Sequence, residues 1–131
     1  MANKFGARKV QDPNTGALFD SKAELTRWYE LRYLEMAGKI SGLKRQVSFQ
    51  LFPTQREEST EFYKAGPQKG LPKPGAIIEK ECCYIADFTY YQDGKYIVED
   101  VKGCKKGAAY DLFVVKRKAM LFLHGIRIRE V

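Results

Sequence analysis

Two aspartates and a lysine are the residues of this chain whose types and spacing most directly suggest chemistry. Asp93-Gly94 is the dipeptide of a two-residue β-hairpin loop, flanked by runs rich in Ile, Val, Tyr and Phe at about 77–91 and 95–102. With that loop Gln92 faces Lys95, antiparallel partners share an index sum of 187, and Asp87 faces Asp100. Lys102 lies two residues past Asp100 and shares its face, together with Ile85 and Val98. Two opposed carboxylates with Cβ atoms ~5 Å apart repel each other. Apolar surroundings make the conflict worse, and Asp is a poor strand former. A divalent cation removes it. Mg²⁺ takes hard oxygen ligands, typically one or two carboxylates with water and a substrate phosphate. Such an ion activates water and offsets charge on a phosphodiester in the transition state. Lys102 beside it can orient or deprotonate that water, or balance the phosphate. The backbone carbonyl of Val101 lies between Asp100 and Lys102 and completes the oxygen shell, whereas Glu99 points to the opposite face. A register shifted by one would leave two surface aspartates and a solvated lysine instead.

The elements that must position these residues are legible around them. Residues 1–20 are a basic, turn-rich lead-in with a turn at Asp12–Gly16. Ser21 is a good N-cap with Glu24 three residues later, and Gly38 stops the helix. Trp28, Leu31 and Leu34 recur at helical spacing, with Leu25 and Tyr29 beside them. A strand is expected at about 45–52, where Val47, Phe49 and Leu51 alternate with Gln46, Ser48 and Gln50. Residues 53–76, rich in Pro and Gly, read as a long flexible loop. After the hairpin, a helix spans about 109–123 with Leu112, Val115, Ala119 and Phe122 on one stripe, and a last strand runs from Ile126 to Val131. The order helix, three strands, helix, strand implies a mixed sheet flanked by helices, an α/β or α+β domain, of which α/β is the expected class.

Composition narrows the partners. The chain has 131 residues, suited to a single domain, and its 44% apolar content supports a packed core. Neither a membrane-length apolar run nor a signal-peptide core is present in the sequence. The net charge is +7, divided as +4 over residues 1–50, −3 over 51–100 and +6 over 101–131. Basic flanks suggest a polyanion, nucleic acid first. Three cysteines, Cys82, Cys83 and Cys104, form no C-x-x-C pair and read as reduced core residues of a cytosolic protein. The single histidine, His124, sits at a helix end and excludes His-rich zinc sites. No phosphate-cradling glycine loop of the P-loop or dinucleotide type occurs.

Asp87, a gap of about a dozen residues, and Asp100-Val101-Lys102 on the next strand resemble the PD-(D/E)XK nuclease pattern. Phe19-Asp20-Ser21-Lys22-Ala23-Glu24 is similar to that superfamily's helix motif, in which the glutamate is a further metal ligand. Together with Asn3-Lys4-Phe5-Gly6, Tyr84-Ile85-Ala86-Asp87-Phe88 and Val98–Gly103, the chain resembles a small family of phage-encoded nucleases over nearly all its length, apart from 53–76. Ala86 stands where the motif's proline would be, a common departure. The resemblance implies a restriction-endonuclease-like core and Mg²⁺-dependent DNA cleavage, with Mn²⁺ able to substitute. It further implies branched DNA such as a Holliday junction as substrate, a homodimer, and a phage or prophage protein acting in the bacterial cytoplasm. Glu24, Asp87, Asp100 and Val101 would hold the metal, and Lys102 would complete the catalytic set. The alternatives are a DNA-binding module of the same fold without catalysis, or a nuclease trimming linear or single-stranded DNA.

Glu24 carries two readings. As a capping-box residue its carboxylate bonds back to the helix start; facing inward with Trp28 and Leu31, it reaches the acidic site. The DNA contacts are expected from Lys4, Arg8 and Lys9 in the basic arm, and from Lys105 and Lys106 in the Gly103–Gly107 loop beside the site, a loop that can equally be plain solvated surface. Gln46 borders the hairpin and can bond substrate or water. Lys116, Arg117 and Lys118 span too wide an arc for one patch, and Tyr90, Tyr91 and Tyr96 are either core or base-stacking residues.

Overall fold

The computed structural model describes residues 9–131. The expected DNA contacts Lys4 and Arg8, and the Asn3–Gly6 stretch, lie outside the described residues. Strand β1 (Val10–Gln11) pairs antiparallel with β2 (Leu18–Phe19) across a turn held by Asp12. That carboxylate is buried and accepts hydrogen bonds from the Asn14 N–H at 3.0 Å, the Thr15 hydroxyl at 2.7 Å and the Tyr29 hydroxyl. The described part of the lead-in is therefore a short hairpin rather than only a turn. Helix α1 (Lys22–Met36) follows, with the Ser21 side chain accepting the Glu24 N–H at 3.1 Å as its N-cap.

The main sheet has four strands in the order β3-β6-β7-β8: β3 (Ser41–Phe52), β6 (Cys82–Gln92), β7 (Lys95–Asp100) and β8 (Arg129–Glu130). Between β3 and β6 lie β4 (Gln55–Arg56) and β5 (Ile77–Glu79), and between β7 and β8 lies α2 (Ala108–His124). β6 and β7 are antiparallel, β7 and β8 parallel. The molecule is thus α/β, with a mixed sheet and two helices. Alternating burial along β3 places Val47, Phe49 and Leu51 inward as expected, but the strand begins four residues earlier and passes through left-handed backbone at Gly42 and Gln46.

The hairpin register is the expected one. Phe88 faces Glu99, Thr89 faces Val98, and the ladder continues to Gln92 facing Lys95, every pair summing to 187. Asp93 and Gly94 have φ of 52° and 77°. Positive φ at both loop positions is the twist-matched geometry that favours Asp-Gly. One face of the hairpin, through Phe88 and Tyr90, packs on Phe19, Leu25, Leu31 and Ile40, with Trp28 stacked on Phe88 at 6.0 Å between ring centroids. Each such fully buried large apolar side chain contributes about 1.5–3 kcal/mol. The opposite face carries Asp87, Thr89, Val98 and Asp100. Ile85, expected among the buried neighbours of that face, is exposed.

The described chain divides into two compact units. One comprises the chain up to Phe49 together with Ile85–Val131, the other Gln50–Tyr84. Within the second, the stretch expected to be a flexible loop instead contributes β4, which pairs with β5 through Gln55↔Glu79 and Arg56↔Ile77, and a bridge between Phe62 and Pro72. Gly75 permits its tight closure: a Cβ there would lie 2.0 Å from the Glu57 carbonyl oxygen. The expected strand at 77–91 is correspondingly two strands, interrupted at Lys80-Glu81.

A second correction concerns α2. Its buried residues are Phe113 and Met120, whereas Leu112, Val115 and Phe122 of the expected core stripe are exposed. Cys104 is also exposed, and Cys82 and Cys83 are half-buried, so none is a core cysteine. Among the described residues, no helix is long and apolar enough to cross a membrane.

Candidate acidic active site

The end of the hairpin, the start of α1 and the loop before α2 enclose a cleft of about 600 Å³. Its lining includes Glu24, Asp87, Asp100, Val101, Lys102 and Lys106, so five of the expected site residues and one expected DNA contact meet in one place. The Val101 N–H donates to Asp87 Oδ2 at 2.8 Å, which ties the Asp87 side chain to the end of the opposite strand. Lys102 Nζ lies 3.0 Å from Asp100 Oδ1 and 4.0 Å from the centre of the Phe113 ring. The ammonium is therefore held between a carboxylate and the ring of an α2 core residue. The backbone here is fixed from β8: Val131 N–H donates to the Asp100 carbonyl and Lys102 N–H to the Val131 carbonyl, each at 3.0 Å.

Glu24 is buried on the first turn of α1. Gln46 Nε2 donates to Glu24 Oε1 at 3.3 Å, and an Arg45 guanidinium nitrogen lies 3.9 Å from the same oxygen. Gln46 thus reaches the site through Glu24. Arg45 was not expected from the sequence. Its guanidinium lies over the Phe19 ring at 3.7 Å, and its Nε is buried with no hydrogen-bond partner among the described residues. The left-handed Gln46, at φ 52°, is the backbone feature beside it, and no sequence pattern announces that conformation.

The electrostatics follow from crowding three acids in a half-dry cleft. Burial, then the charges of Asp100 and Glu24, push the Asp87 carboxyl up to about 8, against the opposing hydrogen bond from Val101. Burial and the charge of Asp20 raise Glu24 to about 7, with Arg45 pulling the other way and Asp100 adding to the rise. Burial is the larger cause at both carboxylates, and the neighbouring acids add to it.

The other basic and aromatic residues divide. Lys106 lines the cleft; Lys105 is exposed outside that lining and acts electrostatically on Glu130. Lys9 makes a long ion pair of 3.9 Å with Asp20, itself on the cleft wall. Tyr90 is core, whereas Tyr91 and Tyr96 are an exposed cross-strand pair with ring centroids 5.1 Å apart. Glu99 points away from the cleft, as alternation requires. It is fully buried and clamped by Arg27, with Nε to Oε1 at 2.9 Å and a terminal nitrogen to Oε2 at 2.7 Å, and it also accepts the Tyr90 hydroxyl. It binds α1 to β7 and has no part in the cleft.

The model of a family described as proteins of unknown function, DUF1064, matches residues 2–123. The chain belongs to the DUF1064 family. No curated protein and no solved structure shows significant similarity to it. The site of this DUF1064 protein therefore has to be judged by its own donors. They are hard carboxylate oxygens, the class that Mg²⁺ and Mn²⁺ take. Among the described residues, no three His, Cys, Asp or Glu side chains close into a ready-made metal cage. A cation of the Mg²⁺ type does not need one, since one or two carboxylates with water and phosphate satisfy it. The donor set thus fits such an ion in the company of substrate.

Proposed function

We propose that this chain is a divalent-cation-dependent endonuclease that hydrolyses DNA phosphodiesters, built on a restriction-endonuclease-like core. The observation that carries the reading is the meeting of Asp87, Asp100 and Glu24 with Lys102 in one cleft. Structure alone gives no reason to crowd three acids where two are pushed toward neutrality. Asp87 and Asp100, with the Val101 carbonyl and Glu24, would hold Mg²⁺ or Mn²⁺, which when bound supplies Lewis acidity and a nucleophilic water at neutral pH.

The remaining work falls to the chain's own groups. Lys102 Nζ, anchored on Asp100, presents positive charge to the substrate phosphate and a donor to the attacking water. Gln46 and Arg45 hold the Glu24 carboxylate in place. The N-terminus of α2 contributes Ala108, Ala109 and Tyr110 to the cleft wall, and its N-cap residue is Gly107, which has no side chain to cap it. Its N–H groups favour a phosphate there, and Lys106 lies beside them. Branched DNA as substrate, a homodimer and a phage or prophage setting in the bacterial cytoplasm belong to the same proposal and rest on the sequence resemblance.

The test is cleavage of a four-way junction, duplex and single-stranded DNA, with Mg²⁺ and with EDTA, using Asp100→Asn as control. Metal-dependent cutting lost in the variant supports the reading, with the preferred substrate deciding between junction resolution and trimming. Tight DNA binding without cutting by the wild type under all metals would make the chain a binding module.

A further inference from the structure

Helix α2 is apolar on two sides. Phe113 and Met120 are buried, while Leu112, Val115 and Phe122 are 57%, 63% and 86% exposed. At 100° per residue the second group, with half-buried Ala119 in its midst, forms a stripe more than a quarter turn from the first. A helix apolar on two faces is one made to be covered on both. The spacing of the outer stripe is specific. Leu112, Val115, Ala119 and Phe122 fall at intervals of three, four and three, the alternation of a two-helix seam.

We propose that this outer face of α2 pairs with the same face of a second copy of the chain, the two helices running parallel about a two-fold axis. Charge selects both the occupant and the direction. The residues flanking the stripe are Asp111 and Lys118 on one side and Lys116 and Leu123 on the other. In a parallel, in-register pair, flanking positions five apart meet across the seam. Asp111 then meets Lys116 of the second copy, twice by symmetry, and Lys118 meets the apolar Leu123. In the antiparallel register that aligns the same stripe, Lys116 would meet Lys116 and Lys118 would meet Lys118. The sequence is self-complementary one way and self-repelling the other, and Ala119 at the centre lets the helices approach closely.

A parallel pair has a geometric consequence that rests on the nuclease reading, although the pairing itself does not. The α2 N-terminus forms part of the cleft wall. Parallel helices therefore bring both clefts to the same end of the seam, on either side of the two-fold axis. That arrangement suits a substrate with two symmetry-related strands to cut.

The test is the oligomeric state of the full chain by sedimentation across a dilution series. The wild type should be a reversible dimer. Phe122→Glu, at a position with little to lose in the fold, should be a monomer whose melting matches that of wild type diluted below its dimer Kd. Asp111→Lys should weaken the dimer roughly tenfold by turning two attractions into repulsions. The double variant Asp111→Lys/Lys116→Asp should restore it. A wild type monomeric throughout overturns the proposal, and so does a dimer indifferent to Phe122→Glu. A dimer lost in Phe122→Glu but not rescued by the charge swap overturns the parallel arrangement. Metal-dependent cleavage measured on the same samples reports separately on the nuclease reading.

Discussion

Replacing Asp87 by Asn should make the metal-free protein more resistant to alkaline pH. In the folded chain burial, then the charges of Asp100 and Glu24, push this carboxyl up to about 8, against a model-peptide value of 3.8. Between those values the folded state holds a proton that the unfolded chain has released, so unfolding free energy falls as pH rises. The contribution is fully present below 3.8 and lost by the time pH has risen through about 8. Each pH unit in the window costs about 1.36 kcal/mol, so from 3.8 to pH 7 the wild type forfeits up to about 4 kcal/mol at this residue. Asn cannot ionise, yet it keeps an oxygen that can accept the Val101 N–H. The advantage of Asp87→Asn over wild type should therefore widen from pH 4 to pH 7 by an amount of that order. Urea unfolding in EDTA, followed by the fluorescence of Trp28, the sole tryptophan, measures it directly. Stability curves that run parallel from pH 4 to pH 8 would refute the claim that Asp87 is crowded and under-compensated.

Four further outcomes are expected. Asp100→Asn and Lys102→Ala should each abolish DNA cleavage while leaving binding in a gel-shift assay within a fewfold of wild type. Glu24→Gln keeps any capping bond but removes a charge from the cleft, so turnover should collapse while the metal-free fold at neutral pH is at least as stable as wild type, because burial pushes the Glu24 carboxyl up to about 7; cleavage within a fewfold of wild type would return Glu24 to a capping role. Mg²⁺ or Mn²⁺ should raise the wild-type melting temperature, by about 2.7 kcal/mol of stability at a hundredfold excess over Kd, and should leave the Asp87→Asn/Asp100→Asn double variant unmoved. Glu99→Ala strands the Arg27 guanidinium against a buried gap and should cost about 3 kcal/mol in denaturant unfolding.

What the sequence disclosed depended on how local the determining physics was. Asp93-Gly94 specifies the loop by its own backbone preferences, and the register of Asp87 against Asp100 follows by counting. Glu99 and Asp100 fall on opposite faces by the same rule. The strand pair β4 and β5 escaped notice because its partners, Gln55 and Glu79, are two or three residues of ladder joined across a long Pro- and Gly-rich span. On α2 the more regular apolar stripe was the exposed one, and periodicity carries no label saying which face the sheet will cover. Arg45 and Gln46 converge on Glu24 through a left-handed residue inside a strand, a conformation that a glutamine adopts only under the constraint of its surroundings.

Strand β7 places the fully buried, clamped Glu99 and the cleft-facing Asp100 on successive residues. They share a peptide bond and little freedom, so the strand behaves as a rigid lever with its fulcrum at the Arg27–Glu99 clamp. Neither Arg27 nor Tyr90 lines the cleft, yet a change at either frees the backbone that aims Asp100 and, through Val101, grips Asp87. Damage to the clamp should therefore be read out as misaimed chemistry as well as lost stability.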